Sequence, residues 1–406
     1  MFMPKIVRFL IVMSLLCMVS ASTGAQSIII PTSPTDSTAF ALSVYDQLRA
    51  AEGNLFFSPY SINTAFLMVY AGAGGDTAQQ IADVLHITPE NSNLHEQVAQ
   101  YTVFIRAQNN ADKTEYSPER VFSVSNALWV QQDFALDPDY PETLAEFYSA
   151  TITPTDFVND PEGSRQLIND TVAQQTRERI QNLIPDGVID QATRLILTNA
   201  VYFKANWAKA FTPLESAPFT LSDETVVDVP SMITTNDMPY FSGDGITLVA
   251  VPYDGWNSQM VIIMPDDFAT YEAGLLAGGL PNLGDVTFAK IHLTMPKFTF
   301  ESSFGLSDTL VQLGMSDAFN PDLANFSGMS QEPLFIQEAL HKAFIGVDEN
   351  GTEAAAATAV IVGVTSAMPQ PVEPIEVKID KPFLFYIQDN VTQEILFMGR
   401  VMNPQS

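Results

Sequence analysis

The sequence predicts a single α+β domain, and three observations carry that assignment. Helical periodicities crowd the first half of the chain and strand-like segments the second. Between them, residues 194–204 (RLILTNAVYFK) form an apolar run that belongs in the middle of a sheet. Strands near both ends must share sheets, and no repeat or linker divides the chain, so residues 38–406 read as one large domain.

Taken in order, residues 1–25 read as a signal peptide. Lys5 and Arg8 precede an apolar core over 9–19 and then small residues, with cleavage expected after Ala21 or Ala25. The core is shorter than the ~20 residues a membrane span needs. Cys17, the only cysteine, lies inside it, and Leu16 before it is too bulky for a good lipoprotein signal. The mature chain is expected to be secreted, extracellular or periplasmic, without thiol or disulfide. Residues 26–37 read as an extended tail. Helices are expected over 39–49 (Phe40, Leu42, Val44, Leu48), 61–72 and 76–85 (Ile81, Val84, Leu85), after a short strand at 54–59. A long strand follows at 121–136. The clearest amphipathic helix spans 161–184, with Leu167, Ile168, Val172, Ile180 and Leu183 on one side, stopping at Pro185-Asp186-Gly187. Beyond it strands are expected at 217–221, 226–233, 247–253, 258–264, 288–300, 334–347, 375–379, 383–388 and 394–401.

Composition narrows the function. Without the signal peptide, 16 Lys+Arg face 47 Asp+Glu, so nucleic acid and anionic membranes are unsuited partners. With no disulfide, stability must come from a large core, which 46% hydrophobic residues allow. Catalysis finds no support. His86, His95, His292 and His341 have no metal-ligand neighbour at helical spacing, and G-x-S-x-G, H-E-x-x-H and Walker patterns are absent from the sequence. Gly72-Ala73-Gly74-Gly75 lacks the following Lys-Ser/Thr and reads as a link between helices. No enzyme activity, metal or cofactor is expected.

One segment fits no single secondary structure. Residues 348–371 (DENGTEAAAATAVIVGVTSAMPQP) open as a turn, run through four alanines, turn β-branched and end among prolines. Drawn as a strand, it would carry Thr352, Ala354, Ala356, Thr358, Val360, Val362 and Val364 on one face, all small or β-branched and uncharged. Such a strand could slide between two existing ones without burying a charge. A low-complexity surface loop is the plainer alternative.

The run HKAFIGVDENGTEAAAAT resembles the hinge of an inhibitory serpin, and the resemblance extends over nearly all the mature chain through NLFFSPYSINTAF, LTNAVYFKANWAKAF, LTMPKF and KPFLFYIQDNVTQEILFMGRVMNP. It implies a serpin fold: three β-sheets with a large central sheet A, eight to nine helices, and residues of about 348–374 exposed as a reactive-centre loop. It also implies a mechanism. A target serine protease cleaves the loop, stays esterified to it as a covalent acyl complex, and is dragged along as the loop inserts into the central sheet. A strand of ~14 residues at ~3.3 Å each spans about 46 Å. Its ladder hydrogen bonds and burial sum to on the order of 10–20 kcal/mol, so the starting fold is metastable.

The resemblance also places residues. Glu349, Gly351, Thr352, Glu353, Ala354, Ala355, Ala356 and Ala357 match the hinge; Asn350 replaces a residue that is often charged. Counting seventeen residues from Glu349 puts the reactive bond at Thr365–Ser366, with Val364 the alternative because the tract to Ile375 is long. Aliphatic and small residues there favour elastase-like or subtilisin-like proteases, and papain-like cysteine proteases would accept Val364. Ser58, Ser61, Asn199 and His341 match the polar shutter beneath the sheet; Trp207, Lys297 and Glu349 match the breach where insertion begins. The helix at 161–184 should cross the sheet. The family's heparin site needs basic residues on the helix near 76–86, where this chain has none, so no heparin partner is expected. A monomer is expected. The sequons at Asn169, Asn325, Asn350 and Asn390 leave glycosylation open. The competing readings are a non-inhibitory serpin-fold carrier, chaperone-like protein or protease substrate, and a secreted hydrolase.

Overall fold

The computed structural model describes residues 30–87, 93–112, 114, 119–150, 152–353 and 373–406. Within the unit Pro31–Ser406 the described strands build two sheets. The central one runs Phe298–Gly305, Glu338–Val347, Gly351–Thr352, Leu195–Asn206, Val121–Gln131 and Ile152–Thr155. The other has nine strands, and the long strand Val226–Gly243 joins its two parts. One part contains Leu55–Phe57, Ile395–Val401, Phe383–Asp389, Ser258–Pro265 and Ile246–Pro252; the other contains Thr212–Thr220, Thr287–Pro296 and Ile375–Lys378. The expected three-sheet layout is thus present, with two of the sheets continuous. Eight α-helices accompany them among the described residues.

Leu195–Asn206 is buried without interruption from Leu195 to Phe203 because both its faces are covered. Val201, Phe203 and Ala205 pack between the sheets with Tyr253, Met260 and Phe385. On the opposite face Ile196 and Ala200 meet Trp129, Ile168 and Val172, so the helix Pro161–Gln175 does cross the central sheet. Asp160 caps that helix by accepting from the Gly163 N–H (2.9 Å).

The expected helix over 161–184 is shorter than its periodicity implies. Helical geometry stops at Gln175, and Arg177, Glu178 and Asn182 take left-handed φ of +54°, +63° and +51°. The cause is local competition for backbone groups. Thr176 Oγ1 accepts from the Ile180 N–H (3.2 Å), while Asn169 accepts from the Ile184 N–H (2.8 Å) and donates to its carbonyl (3.0 Å). Ile180, Leu183 and Ile184 stay buried against the same core, which is why the apolar pattern continues past the helix. Asn169 is itself buried in the fold. Other boundaries also move: the strand expected over 121–136 ends at Gln131, and that over 288–300 is two strands broken at Lys297. The helices Leu94–Asn109, Phe268–Gly278 and Leu306–Leu313 were not anticipated.

Glu394 is a fully buried carboxylate held by hydroxyls, from Ser37 (3.0 Å) and Tyr101 (2.6 Å). Burial, with nearby Asp389, pushes its pKa from 4.5 up to about 7. A folded pKa raised above the unfolded value means stability present below pH ~4.5 and lost as pH rises through 7, worth about 3 kcal/mol. Glu394→Gln is therefore expected to raise the melting temperature at pH 8 and to change it little at pH 4; an equal shift at both would contradict this assignment.

Candidate functional site

The site is a slot in the central sheet, with its mouth at one end and a polar row across its middle. Over Glu338 to Ala343 the strand Glu338–Val347 pairs directly and in parallel with Ile196 to Val201 of its neighbour. Nearer the mouth the two strands diverge and the hinge fills the gap. Thr352 pairs with Val347 on one side and Ala205 on the other, and Gly351 opposes Asn206. Only glycine fits at 351: a Cβ would stand 2.1 Å from the Ala205 carbonyl oxygen.

The breach residues fix this geometry. Trp207 Nε1 donates to the Asp348 carbonyl (2.9 Å) and its backbone N–H to the Asn350 carbonyl (2.8 Å). Its ring stacks on Tyr253 at 4.7 Å and 9°. Tyr253 OH and Thr352 Oγ1 share a 2.6 Å hydrogen bond in a buried pocket, where desolvation pushes the phenol pKa far up and keeps it neutral. Lys297 pairs with Glu349 (2.9 Å). Burial raises the Glu349 carboxyl, but the Lys297 hydrogen bond and charge outweigh it, for a net lowering. Both ends are partly solvated, so the bridge contributes little energy and mainly orients the hinge root.

The shutter residues also come together. Ser58 caps the helix Pro59–Tyr70 by accepting from the Ser61 N–H (3.1 Å) and donates to the Leu396 carbonyl (2.6 Å). The Ser58 N–H donates to His341 Nε2 (3.3 Å), so the proton of the neutral imidazole sits on Nδ1 and bonds Asn199 Oδ1. Asn199 Nδ2 then donates to Ser61 Oγ (2.7 Å) and to Asn126 Oδ1. His341 is fully buried, and desolvation takes its pKa down to about 3. The result is a row Asn126–Asn199–His341 across three adjacent strands. Asn126 was not among the residues expected here, and its local sequence carries no signal for it; only the register reveals it.

Glu353 leaves the sheet at φ +52° and forms an ion pair with Arg179. Ala354, Ala355, Ala356, Ala357, Val364, Thr365 and Ser366 lie outside the described residues. No metal-binding cluster and no helix long and apolar enough to cross a membrane occur among the described residues.

Comparison with known proteins agrees with this architecture. The family model for Serpin (serine protease inhibitor) matches residues 35–404. An uncharacterised serpin-like protein of Thermococcus kodakarensis is 41% identical over 90% of this chain and 84% of its own. Leukocyte elastase inhibitor A of Mus musculus is 34% identical over 91% and 98% respectively. Among solved structures, the highly specific serpin Serpin48 of the insect Tenebrio molitor superposes with a TM-score of 0.78 at 28% identity, covering 90% of this chain and 96% of its own. With the family match spanning nearly the whole described unit and the slot, breach and shutter all assembled, the chain belongs to the serpin family.

Proposed function

We propose that this serpin is a secreted suicide inhibitor of elastase-like or subtilisin-like serine proteases. Cleavage near Thr365–Ser366 would leave an acyl-enzyme that is trapped as residues 351–364 insert. The observation that carries this reading is the hinge: Gly351 and Thr352 already occupy the mouth of the slot as the first two residues of a strand.

Their register supports a specific path. Continued down the slot, it takes Ala356 between Val201 and Ala343 and Thr358 between Asn199 and His341. Insertion must break the Asn199–His341 hydrogen bond, and the Thr358 hydroxyl can replace it, donating to one partner and accepting from the other. A polar row that would otherwise be left unsatisfied is thus matched by the one hydroxyl that reaches it, and alanines pass the tightest stretch. The signal-like residues 1–25 support secretion, and the absence of Arg, Lys or aromatic residues around 362–366 argues against trypsin-like and chymotrypsin-like targets.

Incubation with elastase and with subtilisin, followed by denaturing gels, tests this. A covalent band at the summed mass is expected, with a small C-terminal fragment whose mass locates the cut. Clean cleavage by a broad protease panel with no such band would instead fit a carrier or substrate.

A further inference from the structure

We propose that Arg177 and Arg179 form a clasp across the slot whose release limits the rate of loop insertion; this rests on the insertion mechanism proposed above. Both arginines lie in the non-helical segment after Gln175, on the face of the central sheet that carries Tyr202 and Phe344. Tyr202 belongs to one bank of the slot and Phe344 to the other.

The two arginines hold opposite banks. The Arg177 guanidinium sits 5.8 Å from the Tyr202 ring centroid and binds Glu119 bidentately (3.0 and 2.8 Å), while Lys204 on the same bank also reaches Glu119 (3.2 Å). Arg179 sits 5.6 Å from the Phe344 ring centroid and pairs with Glu353 of the hinge. Two residues on, the Gln181 carbonyl accepts from Lys342 Nζ (3.0 Å), a second tie to the Phe344 bank. Lys342 is itself paired with Glu301 (3.0 Å).

Insertion pulls these anchors apart. In the observed register Ala355 would pass between Tyr202 and Phe344. Just below, where Ala343 still pairs directly with Val201, a new strand widens the spacing of the banks from ~4.8 Å to about twice that. Arg177 and Arg179 are two residues apart, so their Cα atoms can separate by no more than ~7 Å, and the segment is also tied at Gln181. With Arg177 fixed by its bidentate carboxylate, the contacts to the Phe344 bank are the ones that must yield. Arg177 and Arg179 are half exposed, so salt weakens the clasp.

The test uses the full-length intact protein and a synthetic peptide with the sequence of residues 351–364, which can enter the slot as a strand without any protease. Peptide uptake, followed on native gels, is expected to accelerate with sodium chloride in the unaltered protein. Arg177→Gln and Arg179→Gln should take up peptide several-fold faster at low salt and lose most of the salt dependence. Lys381→Gln, which removes an exposed pair with Asp266 far from the slot in sequence, should change neither. Wild-type rates in both arginine variants, or equal acceleration by Lys381→Gln, would overturn the clasp while leaving inhibition intact. A wild-type protein that neither takes up peptide nor traps protease would overturn the insertion mechanism itself, and the clasp with it.

Discussion

Replacing Thr352 with arginine is expected to turn the protein from an inhibitor into a substrate. Thr352 is 2% exposed, and its hydroxyl bonds a Tyr253 phenol that burial keeps neutral and unable to act as a counter-ion. A guanidinium entering that pocket would be desolvated without a partner, at an effective cost of several kcal/mol. In the mechanism proposed above, insertion competes with hydrolysis of the acyl-enzyme, and each ~1.4 kcal/mol added to its barrier slows it about tenfold. A penalty near 4 kcal/mol therefore slows insertion by about a thousandfold, ample for hydrolysis to win. The expected result is loop cleavage at the usual rate, recovery of active protease and loss of the covalent band. Retention of efficient trapping by Thr352→Arg would show that Thr352 does not lead the inserting strand.

The second large effect is expected at His341. His341→Ala removes the acceptor of the Ser58 N–H and the donor to Asn199 Oδ1 and opens a cavity in a fully buried position. Two orphaned groups at ~1–3 kcal/mol each, plus the cavity, predict a loss of about 3–5 kcal/mol, a fall of several degrees in the native melting temperature. The pH dependence separates this from generic damage. The His341 pKa falls from 6.5 in the unfolded chain to about 3 in the fold, so stability is fully present above pH ~6.5 and is lost as pH falls toward 3. Melting curves from pH 7 to 4 should show that acid-side loss in the unaltered protein and a flatter profile in the variant. Parallel profiles would mean that His341 is not the titrating group.

How far the sequence reached depends on where the information sits. The strand around Leu195 was legible because burial on both faces leaves an unbroken apolar run. The end of the helix at Gln175 was not, since Ile180, Leu183 and Ile184 keep the helical spacing while side-chain hydrogen bonds from Thr176 and Asn169 redirect the backbone. The helix Phe268–Gly278 was missed because it is apolar on every side and ends in glycines, which hides its period. Leu94–Asn109 buries Thr102 and Asn109 along with its apolar residues, so its stripe is broken. At the site, the shutter and breach residues come from several elements, and apart from Ser58 and Ser61 at one helix start no spacing along the chain joins them, as with Ser58 and His341 or Trp207 and Glu349. Those residues were placed by family resemblance; Asn126 and Arg179 became visible only once strand register and the path after Gln175 were known.

The reserved strand is the centre of this account, and the thermal unfolding of intact and loop-cleaved protein tests it most directly. Once cut, residues 351–364 are free to complete the central sheet, adding on the order of 10–20 kcal/mol of hydrogen bonding and burial. Cleaved protein is then expected to melt about 20 °C or more above the intact form under the same conditions. Equal melting temperatures, or a lower one after cleavage, would contradict the claim that Gly351 and Thr352 are the leading end of a strand waiting to insert.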